Sequence, residues 1–327
     1  MRLGWTFKMM RWLPALAMLA AVPAFADPVA FVVALKGSAT VTSKAKGTKA
    51  ALGRGLERGD KVQVAPGGSV TLFFSDGNVV ELGGGSSLTV SGQLTSSAQK
   101  VGPGSNVPAE VFTRVSKFVA SSNRQSGMVA LSAMRGAESE APLIVSPRRS
   151  AMLELRPRFV WRHVPGATRY RLAVSTEEGP VWSSEVSDTA TSYPADATAL
   201  APTTDYVWEV EALSDTGPIG PRDESSFRVL SAGEATQVRE HLDGLSKAAG
   251  DGTAATLYLS GSYLMGRGLY GEAAEEFEAL CKLTPDAPGA HQALGNVYQT
   301  MGVNDRAAEE MKRAQALTPA SATTTSK

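Results

Sequence analysis

The sequence predicts a multidomain α+β protein: an N-terminal all-β domain, a central β-sandwich and C-terminal helical hairpins. Three observations carry this prediction. Short apolar segments separated by glycine turns fill residues 27–95, and a second set of alternating strands fills residues 151–231. Near the C-terminus, Leu283–Pro285 recurs 34 residues later as Leu317–Pro319. A period of this length is typical of stacked helix–turn–helix repeats.

The composition fits folded, non-membrane domains. The 327 residues allow two or three domains, and 43% are hydrophobic while 20% are charged. The formal net charge is zero, but residues 27–150 hold 14 basic and 8 acidic side chains, whereas residues 151–327 hold 15 basic and 24 acidic ones. This asymmetry is consistent with an ordinary solvated surface, or with a basic half that contacts an anionic envelope polymer such as peptidoglycan. We expect no nucleic-acid partner.

Residues 1–26 have the pattern of a secretory signal peptide. Basic residues at positions 2, 8 and 11 precede the apolar run Trp12–Val22, which is short for a membrane span. The small residues Ala24 and Ala26 predict cleavage between Ala26 and Asp27. The alternative is an uncleaved anchor. Cleavage would leave a periplasmic or otherwise extracytoplasmic protein without a stable membrane span.

Residues 27–95 predict a small β domain. Asp76-Gly77 lies between two apolar runs, which is a strong hairpin signal because a tight turn needs positive φ. Asp60 and Asp76 stand next to glycines, so we expect them to bond backbone groups of turns instead of forming a calcium or catalytic site. The predicted strands are Val29–Leu35, Ala39–Thr42, Lys61–Val64, Val70–Phe74, Val79–Leu82 and Leu88–Val90.

The order of these segments resembles the FecR-type periplasmic domain. The resemblance covers residues 35–90 and is carried by Gly37 with Val41, then Leu56–Val64, Ser69–Leu72, Asp76–Asn78 and Ser86–Val90. Some members of that family pass an outer signal to a cytoplasmic sigma factor. The resemblance therefore implies either a binding domain or a component of an envelope signalling pathway.

Residues 96–150 predict a connector with one amphipathic helix. Apolar residues recur at helical spacing between Val111 and Val119. A lone helix of this length is marginal in water, so we expect it to dock on the preceding β domain. Binding to a membrane surface is the alternative. Residues 142–149 are predicted to form an inter-domain linker.

Residues 151–231 predict an antiparallel sandwich. Leu200–Tyr206 resembles the corner of a fibronectin type III domain, in which a tyrosine hydroxyl bonds upstream backbone. The resemblance implies a rigid spacer or adhesion module, with Trp161 and Tyr170 in its core. Trp182 and Trp208 are expected in the core as well, and stacking on sugars is the alternative.

Residues 232–319 resemble two tetratricopeptide repeats preceded by a capping helix, with a disordered tail at 320–327. The resemblance is carried in the second unit by Leu294, Gly295, Tyr298, Gly302, Ala307, Ala314 and Pro319, and in the first by Gly261, Gly268, Ala273, Phe277 and Pro285. His291 and Leu257 depart from the pattern, which favours Trp there. Helix phase suggests that Tyr263, Asn296 and Gln299 line a groove that contacts a protein partner.

The sequence offers little for catalysis. Its three histidines, at 163, 241 and 291, lie in different elements without metal-ligand spacing, and no phosphate-binding or nucleophile motif appears. The single cysteine, Cys281, is expected to be a small core residue, with an intermolecular bridge as the alternative. We therefore expect no cofactor, no metal and no catalytic residue. The sequence predicts a binding or scaffold protein, with envelope signalling and carbohydrate recognition as alternatives.

Overall fold

The computed structural model describes residues 28–91, 99–100, 107–125 and 141–318. The predicted signal peptide with its Ala26–Asp27 junction lies outside the described residues. So do residues 127–136, for which the sequence also predicts a strand, and the predicted tail 320–327. The fold is α+β, with two β-sandwiches followed by C-terminal helices. Within the described residues, helix Ala109–Gln125 lies between the two sandwiches and joins the first sandwich to those helices.

The first sandwich consists of two antiparallel sheets, with strand orders β4-β1-β6-β7-β9 and β3-β2-β5-β8. Every predicted strand is present within a residue or two of its expected ends, while β3, β4 and β9 were not predicted. The strands are β1 Ala30–Lys36, β2 Ala39–Ser43, β3 Lys46–Lys49, β4 Gly55–Leu56, β5 Lys61–Val64, β6 Ser69–Phe74, β7 Val79–Gly83, β8 Ser87–Thr89 and β9 Gln99–Lys100.

The predicted hairpin at Asp76-Gly77 is confirmed between β6 and β7. Gly77 adopts φ +81°, a conformation that favours glycine. A Cβ on Gly77 would also lie 2.5 Å from the carbonyl oxygen of Val107. The Asp76 carboxylate accepts a hydrogen bond of 3.0 Å from the Asn78 backbone N–H. Both turn geometry and close packing therefore require glycine at this position.

The sheet that contains β1 and β6 is buried on both faces. Val32 and Leu72 point into the core of the first sandwich, whereas Phe31, Val33 and Phe73 belong to a second, larger core. That larger core includes the connector helix and most C-terminal helices. The outer face of this sheet and the helices therefore share one apolar core, which is separate from the core inside the first sandwich.

The second sandwich pairs a three-stranded sheet, β10-β12-β15, with a five-stranded sheet, β11-β17-β16-β13-β14. The predicted tyrosine corner is confirmed, since the Ala201 backbone N–H donates to the Tyr206 hydroxyl at 2.7 Å. Trp161 and Tyr170 lie in the core as predicted. The strands are β10 Ile144–Ser146, β11 Ser150–Met152, β12 Arg158–Trp161, β13 Arg169–Thr176, β14 Gly179–Val186, β15 Ala190–Ser192, β16 Asp205–Ser214 and β17 Gly217–Val229.

The stretch predicted to be a linker, residues 142–149, belongs to the second sandwich. β10 pairs with β12, and Ile144 is fully buried in the sandwich core. The Ile144 N–H also donates to the Asp223 carboxylate at 2.8 Å. The prolines in this stretch indicated a loop in the sequence. They are compatible with β10 because it is an edge strand, where proline is tolerated.

The connector helix is α1 (Ala109–Gln125), and in the part of the chain described up to residue 318 five helices follow the second sandwich. The first of them begins at a capping box formed by Ser231 and Glu234. The next four form two antiparallel pairs. The five helices are α2 Ala232–Ala249, α3 Ala254–Gly266, α4 Tyr270–Leu283, α5 Pro288–Met301 and α6 Asn304–Leu317.

Polar contacts attach the second sandwich to the turn before α4, to α4 itself and to the end of α5. The Ala151 N–H donates to the Gly268 carbonyl at 2.9 Å, and the Leu153 N–H donates to the Glu272 carboxylate at 3.0 Å. Arg148 donates to the carbonyl of Met301 at the end of α5. Burial raises the pKa of Glu272 to about 7, because removing a carboxylate from water disfavours its charged form.

Replacing Glu272 by glutamine is expected to flatten the pH dependence of stability. The folded-state pKa of about 7 lies above the ordinary value of 4.5, so the folded chain keeps this proton longer as the pH rises. The free energy of unfolding therefore falls between those two pH values, by up to about 3 kcal/mol. Urea denaturation across this window measures the slope. The exposed Glu240→Gln is the control, and equal slopes in wild type and Glu272→Gln would contradict the prediction.

Candidate functional site

Helix α1 occupies the inner groove of the helical region, which we define as the surface formed by α3, α4 and α5 around α1. Phe118 of α1 stacks on Phe277 with ring centroids 5.4 Å apart and meets the edge of Tyr258 at 6.5 Å. The neighbouring residues Val115 and Val119 are buried in the same core. The chain thus places its own amphipathic helix where the sequence predicted a partner-binding surface.

The opposite face of α1 packs on the first sandwich, as predicted. Phe112 lies 5.3 Å from Phe31 and 5.6 Å from Phe73, measured between ring centroids. The loop after β3 also reaches the helices, since a Cβ on Gly289 would lie 2.7 Å from the Cβ of Leu52. The prediction of docking on the β domain was therefore right but incomplete, because α1 is covered on both sides.

Charged residues hold the beginning of α1 against the helices. Arg114 donates to Glu110 one turn earlier and also to the carbonyl of Gly266, at 2.7 Å, at the end of α3. Arg267 approaches the same Glu110 carboxylate at 3.4 Å. The hydrogen bond from Arg114 lowers the pKa of Glu110. These contacts place the two helices in a defined register.

The structure buries two of the three predicted groove residues. Tyr263 is fully buried, and its hydroxyl lies 2.8 Å from Nδ1 of His241. Asn296 is 1% exposed and borders a small cavity of about 20 Å³ together with Phe118. Gln299 is half-buried. The expectation of an open groove is corrected at Tyr263 and Asn296, because α1 and α2 cover these positions.

A cleft opens instead among α4, α5 and α6, and we call it the outer cleft. Its volume is about 450 Å³. Lys282 lines the cleft, and the next residue in the chain, Leu283, is 53% exposed. The side chains that line the cleft carry both signs of charge; they are Glu278, Cys281, Lys282, Pro285, His291, Leu294, Tyr298, Arg306, Glu309, Glu310 and Arg313.

One wall of the outer cleft carries a buried histidine with two partners. Nε2 of His291 lies 3.0 Å from the Pro285 carbonyl, and Nδ1 lies 2.6 Å from Oε2 of Glu310. A carbonyl only accepts, so Nε2 carries a hydrogen and donates it. Arg313 donates to Oε1 of Glu310 at 2.8 Å. Sγ of Cys281 lies beside this pair, with all three donor atoms within 4.8 Å of one another.

On another wall of the cleft, the Tyr298 side chain lies between the Glu278 carboxylate and the Arg306 guanidinium. The Tyr298 hydroxyl donates to Oε1 of Glu278 at 2.5 Å, and the Arg306 guanidinium lies 5.6 Å from the centre of the Tyr298 ring. Burial raises the pKa of Tyr298, and burial raises the pKa of Cys281 to about 12. Without a bound cation, Cys281 therefore remains a thiol across the physiological pH range.

One residue of the outer cleft could have been found from the repeat register, although the spacing of the three histidines along the chain did not indicate it. His291 aligns with Leu257 in the 34-residue register, so one unit has a titratable ring where the other has an aliphatic side chain. Its departure from the repeat pattern marks the position. Cys281 was expected in the core; it is half-buried, packs against the edge of that core and also lines the cleft. The packing of α4, α5 and α6 decides its surroundings.

The remaining sequence candidates lie elsewhere. Asp60 accepts from the Glu57 N–H at 3.0 Å, which confirms its turn role. Lys49 and Lys61 stand opposite Thr40 and Thr42 on the outer face of the β3-β2-β5-β8 sheet. Trp208 is fully buried, which removes it from the alternative of sugar stacking.

Comparisons with known proteins found matches among solved structures alone. No model of a known protein family matches the chain, and no curated protein matches it. A Fn3-like protein from Clostridium thermocellum is 20% identical and covers 28% of this chain and 95% of its own, with a TM-score of 0.21. A segment of two fibronectin type III domains from chicken tenascin is 13% identical and covers 62% and 95%, with a TM-score of 0.21.

The FN5 domain of Drosophila Lar is 17% identical and covers 28% of this chain and 97% of its own, with a TM-score of 0.21. These similar structures are fibronectin type III domains. Among the helices in the described ranges, none combines the length and the apolar composition needed to cross a bilayer.

Proposed function

We propose that this chain is an exported, non-catalytic binding and scaffold protein of the bacterial envelope. It combines a FecR-like first sandwich, a fibronectin type III-like second sandwich and tetratricopeptide-like helices. The signal-peptide pattern of residues 1–26 supports export. The tyrosine corner at Tyr206 supports the second assignment, and the paired helices α3–α6 with their 34-residue period support the third.

The observation that carries the proposal is the amphipathic helix α1 bound in the inner groove. Laying the apolar face of a helix into a groove is a common mode of peptide recognition. Here α1 of the same chain fills the groove, and it thereby joins the first sandwich to the helices. The helical region thus serves as an internal scaffold, and an external partner binds at another surface.

The outer cleft is the surface we assign to that partner. It offers Arg306 to an acidic side chain, and the exposed Leu283 next to it offers an apolar contact. Arginines near the centre of an interface contribute strongly to binding. The partner is therefore a protein segment that presents an acidic side chain beside an apolar one.

Replacing Arg306 by glutamate is expected to reduce capture of the partner at least about tenfold, because a favourable charge contact becomes repulsive. The measurement is affinity capture from envelope extracts with the chain from residue 27 to residue 327, quantified by mass spectrometry against wild type. Lys312→Glu is the matched control, since it makes the same charge change at an exposed site on α6 outside the cleft. Capture that is equal in wild type and Arg306→Glu, or reduced equally by both variants, would refute the assignment.

A further inference from the structure

Three side chains in the outer cleft have the donor atoms of a metal site. Cys281 contributes a sulfur from α4, His291 a ring nitrogen from α5, and Glu310 a carboxylate oxygen from α6. All three atoms lie within 4.8 Å of one another, and the histidine and glutamate are buried. Three different elements thus bring three different ligand types to one point.

The groups around these donors have the arrangement that supports metal ligands. His291 donates from Nε2 to the Pro285 carbonyl, which leaves Nδ1 directed at Glu310. Arg313 holds the other oxygen of Glu310 at 2.8 Å. A histidine ligand almost always donates its second ring N–H to a carbonyl or carboxylate, and ligating carboxylates are hydrogen-bonded in turn.

The donor set selects the class of metal. A mixture of thiolate, imidazole and carboxylate suits zinc and similar borderline cations, whereas magnesium and calcium prefer oxygen alone. At zinc bond lengths, tetrahedral ligand atoms lie roughly 3.3–3.6 Å apart. Nδ1 of His291 and Oε2 of Glu310, now 2.6 Å apart, would need to separate by less than about 1 Å.

We propose that Cys281, His291 and Glu310 bind a Zn²⁺ ion, with the fourth position open to the outer cleft. The ion replaces the proton shared by His291 and Glu310 and displaces the thiol proton of Cys281, and both protons pass to solvent. It would tie α4, α5 and α6 together. Its open position could accept water or a ligand atom from another molecule.

Cobalt titration of the purified chain tests this site directly. Co²⁺ in a tetrahedral site gives visible bands, and a bound thiolate adds a sulfur-to-metal charge-transfer band. Because Cys281 is the single cysteine of the sequence, that band reports on this residue alone. We expect saturation at one Co²⁺ per chain under reducing conditions, and displacement of Co²⁺ by Zn²⁺.

Variants separate this site from adventitious binding. Cys281→Ala should abolish the charge-transfer band, and His291→Gln should weaken affinity by more than the ten- to hundredfold typical of losing a supporting contact. His163→Gln is the control, since this histidine bonds Tyr170 in the second sandwich. Circular dichroism checks that each variant is folded. Absence of a one-to-one complex, or an unchanged spectrum in folded Cys281→Ala, would overturn the proposal, and neither outcome depends on capture of a protein partner.

Discussion

Replacing Phe118 by alanine is expected to lower the free energy of unfolding by about 3–5 kcal/mol. The Phe118 ring is 4% exposed and packs between Phe277 and Tyr258 in the core that joins the first sandwich to the helices. Truncation removes this apolar contact and leaves a cavity that rigid neighbours on both sides cannot close. Urea denaturation followed by circular dichroism measures the loss.

The same substitution should reduce hydrogen-exchange protection on both sides of α1, in α3 as well as in β6. Lys117→Ala is the control, because Lys117 is exposed on the same helix, and surface substitutions usually change stability by less than about 0.5 kcal/mol. A loss below about 1 kcal/mol, or loss of protection confined to α1, would show that α1 does not join the two regions.

Replacing Trp208 by alanine is expected to destabilise the second sandwich by about 3–5 kcal/mol. Trp208 is fully buried, its ring lies 4.8 Å from that of Phe159, and its Nε1–H donates to the Pro147 carbonyl at 2.7 Å. The change removes the large ring and also leaves a buried carbonyl without its donor. Denaturation followed by near-ultraviolet circular dichroism reports on this aromatic core.

The control for Trp208 is its neighbour on the same strand. Val207 points to the opposite face of β16 and is 44% exposed, so Val207→Ala should change stability by less than about 0.5 kcal/mol. If Trp208→Ala were as mild as Val207→Ala, the indole would not lie in the core as described.

Helix α1 occupies the inner groove of the helical region. In the proposed repeat family this face is the natural place for a partner, and the sequence predicts the groove residues there. Tyr263 and Asn296 are buried instead, while the outer cleft collects Cys281, His291 and Glu310. The proposed partner surface and the proposed metal site therefore both lie on the side away from α1.

Local features of the sequence were sufficient to predict many elements. Asp76-Gly77 specifies its hairpin because a tight turn needs positive φ. Alternation around Tyr206 specifies a half-buried strand, and the hydroxyl contact follows from its position after the Leu200–Pro202 corner. The structure adds a further local signal that the sequence analysis did not use, the capping box of Ser231 and Glu234 at the start of α2. Each of these signals acts over a few residues.

Other features depended on contacts between distant segments. The proline-rich stretch around Ile144 became a strand because β12 offered it hydrogen bonds. The side chains next to Cys281 are His291 and Glu310, which lie on two other helices. No spacing along the chain encodes such neighbours, because they result from the way that helices pack.

By itself, the sequence determined the strands and helices that have a clear apolar period or a strong turn signal, and which of their residues are apolar, but it did not reveal β3, β4, β9 and β10. The tertiary structure alone decided what covers each apolar stripe. The sequence of α1 predicts one apolar stripe, yet the helix is enclosed by the first sandwich on one side and by α3 and α4 on the other. The physical reason is that backbone geometry is set by near neighbours, whereas burial of apolar surface is non-directional and is satisfied by any segment that the whole fold brings within reach.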